Sequence, residues 1–240
     1  MQKNIVFEDK DIIVVYKPAG IATQTARLGQ QDMVSELKNY LAKKPEYKGK
    51  GEPYLGLIHR LDQPVSGILV FAKNQKAAAA LSRQLNDKSM KKFYYAVVYG
   101  SPMTEEGSLE GYLYKDGKTN QSLIVREGFP DAKKALLHYK KVKTLMVLEK
   151  QQEVSLMDIE LVTGRHHQIR AQMAHADMPL LGDGKYGSLV SKELSHEVGC
   201  KSTALCAYKL IFKHPESGKE MVFEKKPERE IFQPFFSMGI

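Results

Sequence analysis

The longest uninterrupted apolar run in this sequence, Gly67–Ala72, is no longer than one β-strand. That excludes a helical membrane span, which needs about 20 apolar residues, and favours a fold assembled from short elements. Two such runs open the chain, Ile5–Phe7 and Ile12–Tyr16, separated by the turn-like Glu8-Asp9-Lys10-Asp11. The same acidic and basic residues interrupt any charged-then-apolar leader. Cys200 and Cys206 form no CxxC pair. The expected setting is therefore reducing and cytoplasmic, away from membranes.

Lys17-Pro18-Ala19-Gly20 ends the second run with a proline and a glycine. Asp32 can cap a helix whose apolar positions Met33, Leu37 and Leu41 recur at helical spacing. After a Lys/Gly/Pro loop from Pro45 to Pro53, Gly67–Lys73 reads as a buried strand, and Asn74 can cap a helix over Gln75–Asn86. Lys92–Tyr99 returns to β-type composition. Short strands and turns are expected from Gly100 to about Leu161, including Val154–Leu161. A basic helix over His166–Asp177, closed by Pro179, comes next, then a loop over Gly184–Lys201 and strands at Leu205–Lys213 and Glu220–Glu224. With no repeat or clear linker, one α+β domain over residues 1–240 is the economical organisation, divided into two lobes by a cleft.

The formal charge is +8. Basic residues come in bursts: Lys38, Lys43, Lys44, Lys48 and Lys50; Arg83, Lys88, Lys91 and Lys92; Lys133, Lys134, Lys140, Lys141 and Lys143. Such an excess suits a polyanion, because each neutralised phosphate releases counterions. An ordinary solvated surface fits the charge equally well.

One segment concentrates chemistry. In Gly56-Leu57-Ile58-His59-Arg60-Leu61-Asp62-Gln63-Pro64-Val65-Ser66-Gly67, a histidine, an arginine and an aspartate fall within four residues, ahead of an apolar strand. Charged groups on a loop held by a rigid strand suit an active site; residue types alone fit a surface turn with a local ion pair as well. His59-Arg60-Leu61-Asp62 with Ser66-Gly67, however, closely resembles the signature of the RluA family of pseudouridine synthases. Asp11–Gly20 resembles that family's opening strand and Lys-Pro-x-Gly turn, and Lys92–Gly100 its K-x-Y-x-A-x-V-x-G strand. Thr163-Gly164-Arg165-His166-His167-Gln168-Ile169-Arg170 resembles its T-G-R-x-H-Q-I-R element. Pro179–Asp183, Lys185–Gly187, Leu205–Leu210 and His214-Pro215 continue the match in order, from about Ile5 to Pro227. Val65, Ala171-Gln172 and Cys206 depart from the usual pattern. The departures bear on the target nucleotide, since no presumed catalytic group is lost.

The resemblance implies a mixed, largely antiparallel central sheet with flanking helices and loops, two lobes around a catalytic cleft, and isomerisation of uridine in a structured RNA, ribosomal or transfer. It implies Asp62 as the essential carboxylate, Arg165 as the cation offsetting its burial, and Tyr94 as the aromatic that meets the flipped base. Arg60 would enter the space that the base vacates. Arg60 or Arg170 could take the place of Arg165 on charge alone; the motif separates them. His59 is expected to shape the loop, and Lys17 to serve structure or contact phosphate, so that Arg60, His59, Lys17 and Arg170 form the expected RNA-binding set. The reaction needs no cofactor. No metal is expected either: His166, His167 and His175 sit among Arg165 and Arg170, without carboxylate or thiolate at ligand spacing. No obligate protein partner is evident. The rival from another class is a catalytically idle RNA-binding protein on the same scaffold; a metal-dependent RNA hydrolase would need an acidic cluster.

Overall fold

A computed structural model describes residues 2–25, 29–49, 51–147 and 151–237; Lys50 of the first basic burst lies outside them. The elements follow in chain order as β1 (Ile5–Glu8), β2 (Ile12–Lys17), α1 (Met33–Ala42), β3 (Gly56–Leu57), β4 (Ser66–Ala72), α2 (Gln75–Asn86) and β5 (Lys91–Tyr99). Next come β6 (Glu106–Asp116), β7 (Gln121–Val125), β8 (Lys133–Val147), β9 (Gln152–Leu161) and α3 (Gln168–His175). The last are α4 (Leu189–Glu197), β10 (Leu205–Lys213), β11 (Glu220–Glu224) and a short α5 (Gln233–Phe236). The architecture is mixed α+β with a large, mostly antiparallel sheet and few helices. No described helix is long and apolar enough to cross a membrane. Two compact units organise the chain: Met1–Lys91 with Tyr208–Lys225, and Lys92–Ala207 with Lys226–Ile240.

In the first unit, β2 and β4 pair antiparallel from Ile12↔Ala72 to Lys17↔Gly67, and every residue of both is buried. A strand shielded on both faces has no polar face to alternate with, which is why these two read as unbroken apolar runs. β1 joins β2, β3 joins β4, and β11 joins β10. Both helix caps legible in the sequence are present. Asp32 accepts from Ser35 N at 2.8 Å and, with its other oxygen, from Thr25 N at 2.8 Å. Asn74 accepts from Ala77 N at 2.8 Å and donates to Asp11 at 2.9 Å. Each cap satisfies a backbone donor that the first helical turn leaves unpaired.

In the second unit the strand order is β5-β9-β8-β6-β7. The expected short strands are in fact long: β6 has 11 residues and β8 has 15. β8 pairs along both edges, with β6 and β9, so ladder hydrogen bonds override the weak strand propensity of its lysines. The expected loop over Gly184–Lys201 holds α4, capped by Ser188, which accepts from Ser191 N at 3.1 Å. Its buried face is Ser191, Leu194 and Ser195 while Leu189 is exposed, so no apolar stripe announces the helix. The basic helix starts later than expected, at Gln168, because His167 takes a left-handed φ of 51°. Leu113, Ala135 and Ala171 join α3 to the sheet.

Candidate active site

Asp62 lies on the loop between β3 and β4, half-buried, in a backbone turn closed by Val65 N→Asp62 O at 3.0 Å. Both neighbours are clamped. On one side, Leu61 N donates to Thr23 Oγ1 at 3.1 Å, and that hydroxyl donates back to Leu61 O at 2.8 Å. On the other, Gln63 O accepts from Gly20 N at 2.8 Å and from Lys17 Nζ at 3.2 Å, while Gln63 Nε2 donates to Gly20 O at 3.0 Å. Gly20 makes this possible with a φ of +91°, where a side chain would be strained. The peptide of Asp62 is thus fixed from two directions before any substrate arrives.

Lys17 has no exposed surface and donates also to Pro18 O at 3.0 Å and Ile21 O at 2.7 Å. Burial pulls its ammonium down to about pKa 8, a larger effect than the opposing pull of the Asp62 charge. The phosphate contact expected of Lys17 is therefore corrected: the side chain is consumed in tying the Lys-Pro-Ala-Gly turn to the Asp62 loop. His59 is half-buried and faces β4, with Val70 N directed at Nε2 from 3.5 Å. Arg60 is exposed.

In the second unit, Tyr94 is buried on β5, and Tyr95, on the opposite face, packs edge-on against Phe236 at 5.3 Å. Arg165 is exposed on the turn between β9 and α3. Gln168 holds that turn: its amide oxygen accepts from Thr163 Oγ1 at 2.8 Å and Arg165 N at 3.0 Å, and its nitrogen donates to Leu136 O at 3.1 Å and Gln172 at 3.0 Å. Arg165 Nε donates to Lys134 O at 2.9 Å, which fixes the plane of the guanidinium. A residue type with no obvious chemistry, Gln168, therefore presents the arginine, and only the motif points to it.

Arg170 does not stay in the RNA-binding set. Only 4% exposed, it grips Asp183 through Nε at 2.6 Å and Nη2 at 2.8 Å and lies over the Tyr186 ring. Burial alone would raise the Asp183 carboxyl, but Arg170 and the amides of Lys185 and Tyr186 hold it below the usual range. This is a buried structural pair, with the Nε–Nη2 fork taken up by the Asp183 carboxylate. The residue that the sequence left unassigned is Lys92, 7% exposed, two positions from Tyr94 on the same face of β5.

Among the described residues one trio has metal-ligand spacing: Asp9, Asp11 and His214, with ligand atoms within 4.8 Å of one another. His214 Nδ1 accepts from Ser217 N at 3.1 Å and Glu216 N at 3.3 Å, which puts the ring proton on Nε2, aimed at Asp9 Oδ2 at 2.8 Å. Asp9 Oδ1 accepts the amides of Asp11 and Ile12. With its lone pair and proton both engaged, this histidine is suited to pinning β1–β2 to the β10–β11 turn rather than to ligating a cation.

Residues 11–175 match the family described as RNA pseudouridylate synthase. An uncharacterized RNA pseudouridine synthase of Bacillus subtilis, YlyB, is 34% identical over 225 residues, covering 93% of this chain and 69% of that protein. Ribosomal large subunit pseudouridine synthase D of Zymomonas mobilis is 35% identical, covering 98% of this chain and 72% of that protein. Human RNA pseudouridylate synthase domain containing 4 shares the fold, with a TM-score of 0.76 at 21% identity, over 98% of this chain and 92% of that one.

Proposed function

The chain belongs to the RNA pseudouridylate synthase family, and on that premise we propose that it converts specific uridines of a structured RNA to pseudouridine with Asp62 as the essential carboxylate. The observation that carries this reading is the double clamp on Asp62, made by Thr23 on Leu61 and by Gly20 and Lys17 on Gln63. A loop that only decorates a surface has no use for that rigidity, whereas a carboxylate that must meet one atom of a sugar or base does. Arg165, its plane fixed by Lys134 O, is the cation of the reaction. Tyr94 stacks on the extruded uracil, returning about 1–3 kcal/mol of the flipping cost. Exposed Arg60 fills the gap in the RNA. Ribosomal RNA is the favoured substrate because relatives such as the Zymomonas mobilis protein are named for the large ribosomal subunit.

Asp62→Asn tests the reading. It keeps the side chain's shape and removes the ionised oxygen, so pseudouridine formation should fall by about a thousandfold or more with RNA affinity and thermal unfolding near normal. Pseudouridine mapped in total RNA from cells with and without the gene supplies the substrate. Near-normal turnover by Asp62→Asn would remove Asp62 from its role, and RNA binding without any pseudouridine from the native protein would favour the idle-scaffold alternative.

A further inference from the structure

Lys92 is a lysine in an unusual place. The residue is only 7% exposed on β5, and the elements around it are specific about charge. On its own strand, Tyr94 shares its face while Lys91 is exposed. From the turn after β9 come Gly164 and Arg165. A Cβ at Gly164 would lie 3.2 Å from Lys92 Nζ, so the glycine of the Thr-Gly-Arg turn leaves the space that the ammonium occupies. Two acidic residues of β9, Asp158 and Glu160, stand opposite Tyr95 and Phe93 in register and so share the other face of the sheet, where they line a groove with Phe93 and His138; the third, Glu153, shares the Lys92 face but lies at the far end of the strand, beside Val154 opposite Tyr99. Two cations, Lys92 and Arg165, therefore stand together beside Tyr94, and among the described residues no ion pair joins Lys92 to a carboxylate.

A shielded ammonium with a second cation as its neighbour is relieved when an anion reaches it. If the anion were permanent it would be part of the fold; if it develops during the reaction, the relief lowers the barrier. Uridine isomerisation supplies such an anion. When the bond between N1 and C1′ breaks, its electron pair stays on the uracil and the charge spreads over N1, O2 and O4. The ribose deficit is met by the Asp62 carboxylate, at C1′ or by uptake of a ribose proton that is later returned. C5 then bonds to C1′ with the ring's pair, the carboxylate is released, and the C5 proton is lost to solvent as N1 takes one up.

Resting on the uridine-isomerising function proposed above, we propose that Lys92 is a further catalytic residue whose ammonium, beside Arg165 on the Tyr94 face of β5, donates a hydrogen bond to a carbonyl oxygen of the departing uracil. The lysine stays protonated throughout. Removing one such donor in a shielded site costs about a hundredfold to a thousandfold in rate. Burial first, and Arg165 second, bring Lys92 down to about pKa 8, so the donor charge is present below that pH and lost above it.

The test is pseudouridine formation in total RNA from cells lacking the gene, with enzyme in excess, from pH 6 to 9.5, for the native protein, Lys92→Met and Lys92→Arg. The native single-turnover rate should fall above about pH 8. Lys92→Met should react about a hundredfold more slowly at pH 7, with RNA affinity within about threefold of native. Lys92→Arg keeps the charge at all these pH values, so its alkaline fall should move upward by more than one pH unit. Lys17 ionises in the same range and is untouched in both variants, so a fall that stays near pH 8 in Lys92→Arg belongs elsewhere and overturns the proposal. So does a Lys92→Met protein that loses RNA affinity while its saturated rate is unchanged, since that marks a phosphate contact. If Lys92→Met fails to fold, the alkaline limb of Lys92→Arg decides alone. A native protein that forms no pseudouridine in any RNA overturns the functional reading itself, and this role with it.

Discussion

Lys17 and Arg170 show how far a residue's type can mislead about its use. Both are cations in matched motifs, and both are spent inside the protein: Lys17 on three carbonyls, Arg170 on one carboxylate. Sequence conveys charge and spacing, but whether a partner waits in the interior depends on residues far along the chain, Gln63 in one case and Asp183 in the other. The Asp62 segment was legible because its residues are contiguous; Lys92 was hidden because a lysine in a strand ordinarily points to solvent. Lys17 carries a pH signature that can be checked. Its folded pKa of about 8 lies below the usual value of about 10.4 for an unfolded lysine. Between those values the unfolded chain holds more protons, so stability rises with pH across the window, and the penalty for burying the ammonium is fully present below it. Lys17→Met should lower the melting temperature at pH 7 by untying the Asp62 loop, and should show a shallower rise from pH 8 to 10 than the native protein. Lys92 contributes to the same rise, so some slope should remain.

Strands and helices were legible where local chemistry and burial agreed. Asp32 and Asn74 cap the helices they precede, and β2 and β4 are the two apolar runs. α4 escaped because its inner face is mostly serine, and the length of β8 escaped because its neighbours, not its composition, keep it extended. β5 yields the sharpest test at this scale. Its burial alternates, with Lys92 and Tyr94 shielded and Phe93 and Tyr95 half-exposed, so each tyrosine belongs to a different face. Tyr94→Ala should lose most activity because ring and phenol both go. Tyr94→Phe should keep RNA binding, and its residual rate measures what the hydroxyl adds. Tyr95→Ala should unfold at lower temperature through its lost contact with Phe236, yet its folded fraction should turn over normally. An inactive but folded Tyr95→Ala beside a working Tyr94→Ala would put the wrong face of β5 at the reaction.

For the molecule as a whole, the charge of +8 acts through its field on a polyanion. Affinity for RNA should drop by about a thousandfold between 50 and 200 mM salt if some six phosphates are engaged. The rate on bound RNA should survive EDTA when the substrate is a stem-loop that folds without magnesium; activity that returns only with stoichiometric zinc would reassign the Asp9, Asp11 and His214 trio as a working metal site. The way the chain is shared between its two units has a consequence in time. The first unit takes Met1–Lys91 and then Tyr208–Lys225, with the 116 residues from Lys92 to Ala207 between them. At roughly 5–20 residues per second, a ribosome needs about 6–23 s to make that insert. During that interval the bonds that tie the two pieces of the first unit together, Lys213 to Gln84, His214 to Asp9 and Glu216 to Lys76, cannot form, because their later partners do not yet exist. Every newly made copy therefore waits with its first unit incomplete, and its survival in that window depends on the speed of translation and on whatever holds nascent chains apart.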